Sequence, residues 1–249
     1  MNPLQRALIS KAGYDFGFEY VAQESDAGLL LASARHPAAM AVSMDGDNFI
    51  ARLAKASPLL ASELARSIPA TDGQFRCPSI DALAQLLRRA AQLAHSLPNQ
   101  AQQQYDATLA AELEKLPDSL KGTEVERLVR QRIGQDKFRD AMLDYWGGAC
   151  AVTGIAIPEV LRASHAKPWV DCASDAERLD VFNGFLLCAN LDALFDRFLI
   201  SFGSAGELLV STAISAADRE KLGLFDGMRL RWVAPGHGPY LQYHLARFR

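Results

Sequence analysis

Cysteine is scarce in this chain of 249 residues: Cys77, Cys150, Cys172 and Cys188, with no CxxC pair among them. A tetrahedral structural zinc site normally shows such pairs, so the fold is expected to rest on its apolar core instead. All four cysteines read as buried, reduced packing residues. Long apolar runs are also missing, and none approaches the ~20 residues that a membrane-spanning helix needs. The first residues, MNPLQRALISKAGYDFGFEY, lack a basic start leading into an apolar stretch, so no export signal is expected and a cytoplasmic location is. A basic surplus is the third absence: 26 Lys and Arg stand against 29 Asp and Glu, a net charge of −3. A nucleic-acid partner would therefore have to be met by a local patch, without long-range steering by the whole surface.

What is present suffices for two modest domains in an α+β arrangement. Residues 1–95 read as one α+β unit. GFEYVAQ, GLLLASA and AAMAVSM are short apolar or alternating runs that predict strands, and MDGDN at 44–48 supplies a hairpin turn. Helical patterns are read over 49–67 and 79–96. SLPNQAQQQ at 96–104 is polar and broken by proline, which marks 96–122 as a linker with a short helix closing in AELEKLPDSLKG. Thr123 and Glu126 match a capping box at the head of the next helix, which Gly147-Gly148 ends. Its apolar face is Val125, Val129, Ile133, Phe138 and Met142; Gly134 within it implies a kink or a close contact. Residues 123–249 form the second domain. It has a compact helix near 190–197, strands in GELLVSTAI and MRLRWVAP, and a terminal helix in GPYLQYHLARFR.

The chemistry concentrates in SHAKPWVDCASDAERLDVFNGFLLCANLDALFDRFLISF, residues 164–202. Phosphodiester hydrolysis needs a base for water, a group that fixes that base and a ligand for a cation. His165 is the natural base, because imidazole titrates near neutrality. Asn183 precedes Gly184, a pair typical of a tight turn; its amide either orients the base or holds the loop that positions it. Asn190 sits where a helix N-cap is expected. Asp192 and Asp196 are four apart and share one helical face, and such oxygen ligands suit Mg²⁺ or Mn²⁺ better than zinc. Cys150 and Cys188 flank this segment and are able to approach each other.

SHAKPW, ERLDVFNGFLL and ANLDALFD, together with the preceding RQRIGQDKFRDAMLDYWGGACAVTG, resemble the HNH endonucleases of the restriction and defence type. The resemblance covers about 120–202. It implies a ββα-metal fold, cleavage of DNA and a divalent cation, with His165 as general base, Asn183 as the central asparagine and Asp192 at the third motif position. The position before the base, often an acid or histidine that binds metal, is here Ser164. Many members carry histidine where this chain has Asp192. These two departures bring Asp196 into the expected metal set beside Asp192 and Ser164. They also keep open a second reading, a non-cleaving DNA-binding or regulatory protein on a degenerate HNH fold.

Basic residues crowd 121–139, interleaved with acids, and Arg132 is spaced to pair with Asp136. Such a face is ordinarily just solvated. For contacts to the DNA backbone the candidates are Arg162 and Lys167, which bracket the base, with Arg197, Arg130 and Lys137. Arg178 and Asp180 are placed for a local ion pair. Trp169 reads as packing for the loop, and His237 and His244 as structural. The N-terminal unit reads as a specificity or sensor module of unassigned ligand, and a homodimer is an open arrangement for cutting two strands.

Overall fold

Asn2 opens the chain with a capping box: its side chain accepts from the Gln5 amide, and the Gln5 side chain accepts from Asn2 in return. With Pro3 at the first helical position, this starts α1 (Pro3–Asp15), a helix the apolar pattern of the segment did not announce. The structure, a computed structural model, describes residues 1–98, 100–115, 117 and 120–249. The chain divides into two units, Met1–Leu97 and Pro98–Arg249.

The first unit is a five-stranded antiparallel sheet in sequential order: β1 (Tyr20–Glu24), β2 (Gly28–Ala32), β3 (Ala39–Asp45), β4 (Asn48–Lys55) and β5 (Gln74–Cys77). The turn at 44–48 joins β3 to β4 with Asp45 opposite Asn48. Leu29, Leu31, Met40, Val42, Ala51 and Phe75 are buried, and α1 and α3 (Ile80–Ser96) pack against these strands. The single helix expected over 49–67 is two elements. Burial along β4 alternates with period two, and Ser57 then caps α2 (Pro58–Ser67), whose Pro58 starts a new direction. The mixed spacing of Ile50, Leu53 and Leu59 came from a strand running into a helix.

In the second unit, the stretch read as a linker holds α4 (Gln100–Glu114), which packs along α5 (Glu124–Tyr145). Its glutamines and alanines favour helix. Ala101, Tyr105 and Leu109, spaced by four, give it one buried stripe. The helix end expected in AELEKLPDSLKG falls partly on 116, 118 and 119, outside the described residues. At the head of α5, Thr123 accepts from the Val125 amide, while Glu126 accepts from the Gly122 amide rather than that of Thr123, so the box is displaced by one residue. The buried face of α5 is Gly134, Phe138, Ala141, Met142 and Tyr145, with Val125 left exposed. Gly147 and Gly148 both take positive φ, and the Gly148 amide closes on Leu143.

Next come β6 (Leu161–His165), the short α6 (Asp175–Arg178), β7 (Gly184–Cys188) and α7 (Ala189–Phe195). β6 and β7 are antiparallel, with His165 opposite Gly184 and Leu161 opposite Cys188, and α7 follows β7 directly. The cap of α7 is Cys188, two residues before the expected one, and the Asn190 amide instead donates to the Leu222 carbonyl. β8 (Ile200–Phe202) pairs with β9 (Leu208–Val210); α8 (Ala216–Lys221) and α9 (Gly238–Leu245) complete the unit. MRLRWVAP makes one bridge, Arg229 to Glu207, instead of a strand. Beyond it Arg231 turns to donate to the Trp146 and Ala149 carbonyls after α5, and Trp232 stacks on Trp146 at 4.1 Å. Among the described residues no helix is long and apolar enough to cross a membrane.

His36 ties acid stability to the first unit. It is buried, its Nε2 donates to the Gly17 carbonyl at 3.0 Å, and its Nδ1 has no partner among the described residues. Burial first, and then the charge of His95, hold its pKa down to about 4, with Glu19 pulling weakly the other way. The native ring is neutral, while an unfolded histidine takes up a proton below about 6.5. Stability is therefore complete above that value and falls as the pH drops towards 4. Protection factors of the β2 and β3 amides, taken relative to the intrinsic exchange rate at each pH, are expected to fall between pH 7 and pH 4.5, and His36→Gln to flatten that dependence.

Candidate active site

His165 ends β6 with its ring stacked on Phe138 of α5, centroids 3.8 Å apart, and edge-on to Trp169 at 5.9 Å. Phe138 and Gly134 lie one turn apart on α5, and each admits one of the rings that enclose the histidine. A Cβ on Gly134 would stand 2.1 Å from the Trp169 ring, so this glycine serves close contact rather than a kink. Gly184 has the same purpose: its Cβ would stand 2.1 Å from the Ser164 carbonyl oxygen and 3.2 Å from Phe138. Gly184 is thus the first residue of β7, and the turn is 180–183, closed by the Asn183 amide on the Asp180 carbonyl at 2.9 Å.

Nε2 of His165 lies 2.9 Å from the carbonyl oxygen of Arg178. A carbonyl only accepts, so Nε2 carries the proton and Nδ1 keeps its lone pair. Nδ1 makes no hydrogen bond among the described residues. Burial against carbon holds the pKa of the ring down to about 4, which keeps it neutral at ordinary pH.

Asn183 is fully buried, and its side-chain hydrogen bonds go to the loop rather than to the imidazole. Its Oδ1 accepts from the Lys167 amide at 2.8 Å. Its Nδ2 donates to the Lys167 and Glu177 carbonyls at 3.2 and 3.1 Å and to the Cys172 sulfur at 3.3 Å. Of the two roles open to it, the contacts are those of the second: it clamps both ends of the loop that presents the Arg178 carbonyl.

Asp192, on α7, accepts from the Ser164 hydroxyl at 2.5 Å. The serine spends its proton on orienting this carboxylate. One turn on, burial and then the charge of Asp192 push the Asp196 pKa up to about 6. His165, Asp192, Asp196 and Arg162 line one cleft of about 560 Å³, which Gln135 and Arg139 of α5 also face. Two of the arginines are braced: Arg162 donates to the Glu159 and Leu161 carbonyls, and Arg139 to those of Leu161 and Pro158. Arg139 was not singled out in the sequence, because nothing in the α5 pattern separates it from the solvated arginines around it.

The other basic candidates do not line this cleft. Lys167 is held by Glu177 at 2.7 Å and Arg130 by Glu126 at 2.7 Å. Arg197 is exposed and donates to the Ala193 carbonyl, and Lys137 is half-buried on α5. On α5, Arg127 pairs with Glu124 and Arg130 with Glu126, while among the described residues Arg132 and Asp136 form no pair. Arg178 pairs with Asp175, while Asp180 accepts from the Tyr240 hydroxyl. His244 is saturated, with Nε2 on the Phe195 carbonyl and Nδ1 on the Ser201 hydroxyl.

Two strands, a helix and a histidine poised at the strand end have a counterpart among known families: residues 150–203 match the HNH endonuclease model. The chain carries an HNH endonuclease domain. No curated protein matches the chain. HNH nucleases generally use divalent metal ions. Among the described residues no three His, Cys, Asp or Glu side chains gather closely enough to hold one. Mg²⁺ is usually bound through one or two carboxylates, with waters and substrate phosphate filling its shell. Asp192 and Asp196, whose mutual repulsion is felt in the raised pKa of the second, fit that demand; a four-donor zinc site does not.

Gly134→Ala tests the enclosure of the HNH histidine. The added methyl meets Trp169, so the variant is expected to lose roughly 1–3 kcal/mol in urea unfolding despite the gain in helix propensity. A variant as stable as the parent would show that Trp169 moves freely.

Proposed function

We propose that this protein is a metal-dependent HNH endonuclease that hydrolyses phosphodiester bonds in DNA, in a restriction or phage-defence setting. The observation that carries the reading is the state of His165: neutral, with Nε2 committed to the Arg178 carbonyl and Nδ1 free, in a cleft shared with the carboxylates of Asp136, Asp192 and Asp196 and with two arginines. Nδ1 takes the proton of the attacking water. The low pKa of the ring means that the imidazolium so formed sheds its proton readily. Arg162 and Arg139, each with guanidinium donors left over from its backbone bonds, face the phosphate oxygens. Asp192, oriented by Ser164, and Asp196 would hold Mg²⁺ or Mn²⁺, which supplies charge stabilisation at the phosphoryl group and the leaving oxygen. Asn183 is a positioning residue that acts through the loop. The defence setting is supported by the order and spacing of the sequence blocks. For the N-terminal unit we propose a specificity or sensor role, which a hollow of about 460 Å³ on its sheet, lined by Gln23, Leu30, Ala41, Arg52 and Gln74, supports.

Among the described residues no group of three His, Cys, Asp or Glu gathers at the site, which favours one rival, a DNA-binding protein that no longer cuts. Plasmid nicking separates the two. With Mg²⁺ or Mn²⁺ the parent chain is expected to nick, and His165→Ala to be about 10²–10⁴-fold slower while keeping its fold. DNA binding without metal-stimulated nicking by the parent would establish the rival, and undiminished cleavage by His165→Ala would remove the base assignment. Asn183→Ala leaves the Lys167 amide and the Glu177 carbonyl without their partner. It is expected to lose about 3 kcal/mol or more of stability along with activity, seen in urea unfolding.

A further inference from the structure

Cys150 opens the HNH segment and Cys188 ends β7, yet the fold returns them to one spot. The Thr153 amide points at the Cys150 sulfur at 3.4 Å, and the Thr153 hydroxyl meets the Cys188 sulfur at 3.3 Å. The Ala151 amide, next to Cys150, donates at 2.6 Å to the carbonyl of Leu186, two residues before Cys188, which lays the two segments side by side. Both side chains are buried, next to an exposed turn that begins at Thr153. Neither sulfur has a part in the chemistry assigned to the cleft.

The two thiols differ. Burial alone would raise the pKa of Cys150, but bonds from Thr153, Val152 and Cys188 hold it below the ordinary thiol value. Arg231, whose backbone amide donates to Ala151, adds a positive charge nearby. Burial keeps the Cys188 thiol protonated. One sulfur is thus prepared as a nucleophile and its neighbour rests as a thiol, an arrangement suited to exchange chemistry. Two sulfurs without further N or S donors fall short of the four that a structural zinc site takes.

We propose that Cys150 and Cys188 form a thiol–disulfide exchange centre, which a small-molecule disulfide of the glutathione type oxidises to an internal bond. The Cys150 thiolate attacks one sulfur of the small disulfide; its S–S bond breaks and one small thiolate leaves, taking a proton from water. Cys188 then attacks the Cys150 sulfur, the mixed disulfide breaks, and the second small thiolate leaves with the proton of Cys188. Two protein thiols are oxidised and one small disulfide is reduced to two thiols. The closed loop contains β6, His165, Asn183 and β7, so oxidation restrains the unfolded chain across the whole hairpin. The proposal holds whether or not the domain cuts DNA.

The test treats the full chain, natively folded, with oxidised glutathione, followed by alkylation, proteolysis and mass spectrometry. A single linked peptide pair carrying Cys150 and Cys188 is expected, with Cys77 and Cys172 alkylated. The thermal midpoint should rise by roughly 5–15 °C and return on reduction. Cys188→Ala should stop at a glutathione adduct on Cys150. Four alkylated thiols, an adduct that persists on Cys150 in the parent chain, or a link through Cys77 or Cys172 would each overturn the proposal. So would a Cys150–Cys188 link that leaves the midpoint unmoved or lower, because the native fold would then not present the pair.

Discussion

One hydrogen bond, from Nε2 of His165 to the carbonyl of Arg178, decides which nitrogen of the ring is basic. A backbone oxygen cannot donate, so the tautomer follows from geometry alone. The loop that offers this oxygen is held by its own polar groups. Asn183 takes both backbone groups of Lys167 and the carbonyl of Glu177; the Arg178 guanidinium donates to the Trp169 and Cys172 carbonyls; Glu177 binds the Ala173 amide and Lys167. Little of this loop's charge is left for a ligand. Its rigidity is spent on one acceptor, which serves a site better than another mobile cation would.

His165, Asn183 and Asp192 stand out in the sequence because each is a side chain whose chemistry narrows its uses; the fold brings the first and third to one cleft and sets Asn183 on the loop behind it. The strand–strand–helix order was legible because β7 is a short, fully buried apolar run and Pro168 bounds the mixed strand β6 before it. The Arg178 carbonyl was not, since a backbone atom has no signature. Lys167 was read as a free cation because its partner, Glu177, lies ten residues on and the loop had first to fold back. The pairing of Asn183 with Gly184 suggested a turn glycine, whereas the position is extended and small because Ser164 and Phe138 lie against it.

Elsewhere, regular patterns were readable and mixed ones were not. α3 follows an apolar face with a Ser79 cap and stands where its period placed it. β4 and α2 merged into one reading because two periods overlapped within twenty residues. α4 looked like a linker because its apolar stripe is only three residues wide and glutamine surrounds it. Polarity alone does not separate a surface helix from a tether; the spacing of Ala101, Tyr105 and Leu109 does.

The family match begins at residue 150, but the ring stacked on His165 comes from residue 138, and the braced Arg139 follows it. The module that is portable in physical terms is thus longer than the one that similarity outlines. Excised at 150 and grafted onto another carrier, the hairpin would bring its histidine without the aromatic wall that keeps it dry, and the ring would drift back towards an ordinary, half-protonated imidazole.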